Sequence, residues 1–193
     1  PLLLTRGVPG THDIKALKYD INQFQNQNFP ISTPIFNKLK DDISKKRKVI
    51  HNAQILLLEG WCCGSLPIAN QYLFKNINSL ENTYDKNTNW RKYYNSFLRN
   101  EYKSVFSLFD KIIYIQAPSF KYILKWRNSQ ERDNASKSNN KNFMNKVKLK
   151  EFIQHYEKLT RWMMLTMPNQ ADILIKINSN QKITKLLFKV DKF

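Results

Sequence analysis

Residues Ile55–Gly64, ILLLEGWCCG, join an unbroken aliphatic run to a carboxylate and a glycine. A run this short, closed by a turn signal, reads as a strand buried on both faces, the kind that parallel sheets are made of. Ligands of open α/β sheets bind beyond the carboxyl ends of the strands. Glu59, where the run stops, is therefore either a site carboxylate or a turn residue that only faces water.

Further runs of the same character follow: KIIYIQ at Lys111–Gln116, ADILIKI at Ala171–Ile177 and a short last one within Lys182–Val190. Between them the apolar residues recur three and four apart. Tyr93, Tyr94, Phe97, Leu98, Val105, Phe106 and Phe109 mark a long amphipathic helix over Trp90–Phe109, and its aromatic stripe is core rather than a base-stacking platform. Phe120–Ser129 reads as a helix, and so does Met144–Met167 through Phe152, Ile153, Tyr156, Leu159 and Met163, with Pro168 closing it. Strands separated by helices make the chain α/β, with a mainly parallel sheet flanked by helices. No internal repeat is visible. At 193 residues, 41% hydrophobic and 13% aromatic, the length suits one domain over 1–193 with a real core.

The polar stretches are connectors in this reading. Asn76–Asn89 is an irregular excursion, Lys45–Lys48 a solvated charge run, and the Asn-, Ser- and Lys-rich part of 127–143 a mobile lid or connector. No apolar run approaches a membrane span and the N-terminus lacks a signal-peptide pattern, so the chain is expected in the cytoplasm with no membrane partner. It begins with Pro1, not Met, and residues upstream are expected to be missing.

The net charge is +17. A polyanion is the first partner this suggests, but the lysines are spread along the whole chain among Asp and Glu. An AT-rich coding sequence gives the same composition without any partner. A phosphate-bearing small ligand is a second possibility and nucleic acid a third. Cys62 and Cys63 are the only two cysteines. Neighbours in sequence rarely bridge, and with His12, His51 and His155 scattered there is no zinc spacing. Packing behind the Glu59 run is the role left to them.

Two of the four glycines fall in RGVPGTHD, Arg6–Asp13, around Pro9. Such economy elsewhere implies that Gly7 and Gly10 serve a turn or a close backbone approach. Thr11 or Asp13 can cap the helix that follows, with apolar residues at Ile14, Leu17 and Ile21. Downstream stands PIFNK, Pro34–Lys38, before the acidic pair Asp41–Asp42.

The series TRGVPGTHD, PIFNK, EGW, DKIIYIQAP, WRNSQE and YEKLTRWM resembles, in order and over nearly the whole chain, the D-glycerate 3-kinase family of P-loop kinases, which is related to uridine and pantothenate kinases. The resemblance implies a P-loop NTPase fold and MgATP-dependent phosphorylation of D-glycerate to 3-phosphoglycerate. It implies that Arg6 and Lys38 grip the substrate carboxylate, that Asp13 with His12 and Gly7 holds its hydroxyls, and that Trp61 walls the pocket. Glu59 would meet magnesium through water, and Arg127 and Arg132 would be lid arginines over the transferring phosphate, beside Gln130 and Glu131. Asp13, Glu59, Arg127 and Arg132 are thus the expected catalytic set.

The family's phosphate loop is not in this sequence, because no G-x-x-x-x-G-K-[ST] occurs. The chain alone is accordingly expected to be inactive. The family's first strand, central in its sheet, would be missing between Gln54–Leu58 and Lys111–Gln116, leaving two apolar edges facing a gap. A kinase for another metabolite or nucleoside is the nearest alternative. A basic nucleic-acid-binding protein, or a degenerate non-catalytic one, is the alternative of another class.

Overall fold

Asp13 begins the first helix. Its carboxylate accepts a hydrogen bond from the Ala16 N–H at 3.0 Å, and α1 runs from Ile14–Gln25 with Ile14 and Ile21 buried. In the computed structural model, which describes residues 2–37, 42–137 and 146–189, α1 leads into an antiparallel hairpin of β1 (Ile31–Asn37) and β2 (Asp42–Ile50). The Lys45–Lys48 run therefore lies in a strand, not a connector. A two-stranded ribbon satisfies its backbone while leaving charged side chains in water, so charge does not prevent pairing there.

The central stretch is helical: α2 (Asn70–Leu73), α3 (Ser79–Tyr84), α4 (Asn89–Phe97), a π-helical turn over Leu98–Tyr102 and α5 (Lys103–Phe106). The aromatic stripe is core at Tyr94, Leu98 and Val105, with Phe97, Phe106 and Phe109 partly buried against it, whereas Tyr93 is exposed. β3 (Ile113–Gln116) comes next, then α6 (Phe120–Lys137), α7 (Lys146–Gln170), β4 (Ile173–Ile177) and β5 (Ile183–Phe188). α6 extends past Ser129 into what composition gave to the connector, and the remainder of that segment up to 143 lies outside the described residues. Pro168 sits inside the last turn of α7 instead of after it. No helix among the described residues is long and apolar enough to cross a membrane.

The α/β class holds, but the sheet differs from expectation. β3 and β4 are parallel, β4 and β5 antiparallel, and the β1–β2 hairpin forms a separate sheet. The parallel pairing is one of three among the described residues, so "mainly parallel" is corrected there. Gln54–Leu58 pairs with no described strand. Ile55 is 76% and Leu57 86% exposed. Between this segment and β3 opens a cavity of about 400 Å³, lined by Leu56, Leu58, Leu108, Phe109 and Ile113 among others. Register puts Ile113 and Ile115 of β3 beside Ile173 and Ile175 of β4 and Phe188 and Leu186 of β5, on one sheet face. Four of those six are large exposed apolar side chains. The opposite face packs inward through Tyr114 and Leu174. An apolar dye such as anilinonaphthalene sulfonate should fluoresce strongly with the chain, and Ile113→Lys with Ile115→Lys should lower that signal without lowering the urea midpoint.

Behind α4 lies a buried ion cluster. Arg91 is fully buried, and its Nε meets Asp85 Oδ2 at 2.7 Å. Its Nη1 donates to the Leu73 carbonyl at 3.0 Å and to Glu81 at 3.3 Å, and its Nη2 to Asn76 at 2.6 Å and the Asp85 carbonyl at 2.7 Å. All five guanidinium protons find acceptors. Lys158 of α7 joins from the other side, 3.3 Å from Glu81, donating also to the Tyr72 carbonyl at 3.0 Å. Burial pushes the Glu81 carboxyl up and the Lys158 ammonium down, and their mutual attraction opposes both shifts. Asp85 also receives the Trp90 and Arg91 N–H groups at the start of α4. Asn76–Asn89 is therefore not a loose excursion but the acidic wall that Arg91 requires. Arg91→Leu should cost about 3–5 kcal/mol in urea unfolding, since it leaves two carboxylates buried with one cation fewer.

Candidate functional site

The RGVPGTHD turn folds on its own side chains. Gly7 and Gly10 hold φ of +89° and +92°, where a side chain is strained. Thr11 closes the turn: its Oγ1 accepts the Gly7 N–H at 2.9 Å and donates to the Val8 carbonyl at 2.8 Å. Val8 is 1% exposed and anchors the turn in the core. Arg6, at the entrance, lays its guanidinium over the Phe36 ring, 4.8 Å from the centroid, which joins the turn to the β1–β2 hairpin.

Tyr156 of α7 is the hub beneath. Its hydroxyl donates to the Arg6 carbonyl at 2.7 Å, and its ring stands edge-on to Trp61 at 4.9 Å. The Trp61 indole N–H donates to Thr160 Oγ1 at 2.9 Å, one helical turn beyond Tyr156 on the same face. Burial raises the Tyr156 phenol, while the Arg6 and Arg127 charges pull it down. Arg127 is held on α6 by Gln130, 2.5 Å from Nη1, and Glu131, 2.6 Å from Nη2.

On the other side of the turn, Tyr102 accepts the Gly10 N–H at 3.3 Å and lies 2.5 Å from His12 Nδ1. Burial lowers the His12 imidazole and raises the Tyr102 phenol. Glu59 is exposed at the rim. Burial first, and the Glu59 carboxylate second, push the Cys63 thiol up to about 11, while Cys62, buried behind, is pushed up to about 12. Neither thiol is poised as a nucleophile.

Of the residues singled out from sequence, Arg6, Gly7 and Trp61 lie against Tyr156 and His12 meets Tyr102; the Arg127 charge is felt at the Tyr156 phenol and that of Glu59 at Cys63. Asp13 acts as the α1 cap. Arg132 is exposed on α6, with no described contact to this group. Lys38 lies outside the described residues. Among the described residues no three His, Cys, Asp or Glu stand together as a metal cluster. Tyr102, Tyr156 and Thr160 were missed. Tyr156 and Thr160 belong to YEKLTRWM and read as helix interior, and only the i, i+4 spacing of two hydroxyls hinted at more.

The fold has known counterparts. D-glycerate 3-kinase from Cryptococcus neoformans var. grubii superposes with a TM-score of 0.75 at 22% identity, over 98% of this chain and 71% of that one. The fold is that of the D-glycerate 3-kinases. The YGR205w protein superposes with a TM-score of 0.68 at 23% identity, over 99% of this chain and 69% of its own. Among curated proteins, the chain is 26% identical over 170 residues to uncharacterized kinase mug58 of Schizosaccharomyces pombe. That match covers 81% of this chain and 58% of the relative, so the chain spans under two thirds of that kinase. No protein-family model matches. The resemblance drawn from the motifs is borne out by these neighbours.

The turn makes a graded test of the geometry. Gly7→Ala should cost roughly 1–2 kcal/mol from the left-handed backbone alone, because a Cβ there clears Tyr156 by 3.7 Å. Gly10→Ala should cost more, because its Cβ would come within 3.2 Å of both Tyr93 and Phe97. Thermal or urea unfolding of the two variants would give the order.

Proposed function

We propose that the chain is the substrate-binding and lid portion of an ATP-dependent kinase that phosphorylates a small hydroxy acid, D-glycerate to 3-phosphoglycerate. The observation that carries this reading is the meeting of the Arg6 turn and Trp61 on Tyr156, with His12 of the same turn held by Tyr102, in a chain with the glycerate kinase fold. The named kinase activity of the S. pombe relative supports it.

In this reading Arg6 pairs with the substrate carboxylate, which a guanidinium can grip through two N–H groups, assisted by Lys38. His12 and Asp13 take the hydroxyls, with the Gly7 turn letting the substrate approach the backbone. Trp61, fixed by Thr160 and Tyr156, walls the pocket and excludes water. Arg127 and Arg132 neutralise charge on the transferring phosphoryl group. Arg127 approaches that position already tethered by Gln130 and Glu131.

Bound MgATP supplies the phosphoryl group. One exposed carboxylate, Glu59, suits magnesium held mainly by phosphate and water oxygens, as Mg²⁺ commonly is.

The P-loop NTPase assignment also belongs to this proposal. A strand bearing the phosphate loop would lie in the cavity between Gln54–Leu58 and β3, pairing both apolar edges. The chain without such a loop is then inactive. Joined behind the phosphate-loop segment of a relative, it should transfer phosphate from ATP to D-glycerate in preference to L-glycerate, uridine or pantothenate, and Arg127→Ala should lower kcat about 10²–10³-fold. Equal use of all four acceptors, or preference for uridine, would move the reading to another metabolite kinase.

A further inference from the structure

Tyr102 has more partners than a core tyrosine needs. It is 2% exposed and ends the π-helical turn Leu98–Tyr102. Turns of this kind interrupt α-helices mostly at functional sites. Here the extra residue separates the frames of α4 and α5, and the Tyr102 hydroxyl meets the turn 92 residues upstream. There it has two neighbours, the Gly10 N–H at 3.3 Å and His12 Nδ1 at 2.5 Å.

Proton accounting decides the direction of the second bond. The Gly10 N–H can only donate, so it occupies one phenol lone pair. The phenol proton must then find an acceptor, since a buried hydroxyl proton left unpaired is costly. Nδ1 of His12 is the acceptor in reach. Were Nδ1 itself protonated, the phenol would accept twice and its own proton would have no partner described at the site. The surroundings act in the same direction: burial pushes the phenol up and the imidazole down, and the Cys62 and Cys63 thiols are pushed toward the neutral form.

We propose that Tyr102 is a positioning residue that fixes His12 as the neutral imidazole with its proton on Nε2, so that His12, exposed on the RGVPGTHD turn, presents a hydrogen-bond donor there. A neutral donor suits a ligand that offers a hydroxyl oxygen, which accepts from Nε2–H without drawing the imidazole into an ion pair. That ligand class rests on the kinase reading above, whereas the tautomer does not.

The test is a long-range ¹H–¹⁵N spectrum of the chain with labelled histidine at mildly alkaline pH, His12 being assigned by loss of its signals in His12→Gln. A protonated Nε2, and an unprotonated Nδ1 shifted upfield by hydrogen bonding, are expected. Tyr102→Phe should move Nδ1 downfield toward its unbonded position. A proton on Nδ1 in the native chain overturns the proposal even if Tyr102→Phe does not fold, and so does an Nδ1 signal that ignores Tyr102→Phe in a folded variant. Titration with D-glycerate separates the two readings. With the tautomer as expected, an Nε2–H signal that does not respond counts against the hydroxy-acid ligand, whereas a wrong tautomer counts against Tyr102.

Discussion

The bond network around Arg91 is what the rest of the chain leans on. It is formed by residues close in sequence, Leu73, Asn76, Glu81 and Asp85, so it gives one geometry to a stretch with little apolar content of its own. Lys158 and Gln154 then fasten α7 to that wall, the Gln154 side chain taking both the Ser79 hydroxyl and the Leu80 N–H. The stripe carrying these contacts lies on roughly the opposite side of α7 from the one carrying Tyr156 and Thr160. The rotation of α7 about its axis, and with it the placing of Trp61 and the Arg6 turn, follows from a charge cluster that touches neither. A buried arrangement of this kind adds little net stability over an apolar one, but it tolerates few alternatives.

The opposite side of the molecule has the reverse character. Gln54–Leu58, β3 and the outer face of the small sheet present aliphatic side chains to water, while their inner faces are packed. Such asymmetry is uncommon in a sheet whose strands are this apolar, since each exposed residue forgoes roughly 1.5–3 kcal/mol of burial. The core is carried instead by the helices, through Leu98, Val105, Leu159, Met163 and Met167.

Much of this was legible in the sequence, and the failures share a cause. Apolar periodicity located the helices over Trp90–Phe106 and Lys146–Gln170 and the strands at Ile113 and Ile173, because those elements bury a face against neighbours within the chain. It gave Gln54–Leu58 as a strand, but pairing needs a partner that a one-dimensional pattern cannot supply. The polar segments failed the other way. Lys45–Lys48 pairs through its backbone, to which side-chain composition is blind, and Glu81 and Asp85 are buried because Arg91 is. At the site, glycine economy and the motif series singled out Arg6, Gly7, His12 and Trp61. The tyrosines that join them escaped because a helical tyrosine reads as packing until the atom its hydroxyl reaches is known.

The two cysteines turn the Glu59 corner into something that can be timed. With the Cys63 thiol near 11, only on the order of one molecule in ten thousand carries its thiolate at neutral pH, and Cys62 is lower still. Alkylation of the folded chain is therefore slow relative to that of the opened chain at the same reagent concentration. What an alkylating reagent meets first is the fraction of molecules in which the corner has opened and the thiols titrate normally. The cysteine pair is in effect a clock for local opening beside the residues that surround the substrate pocket proposed here.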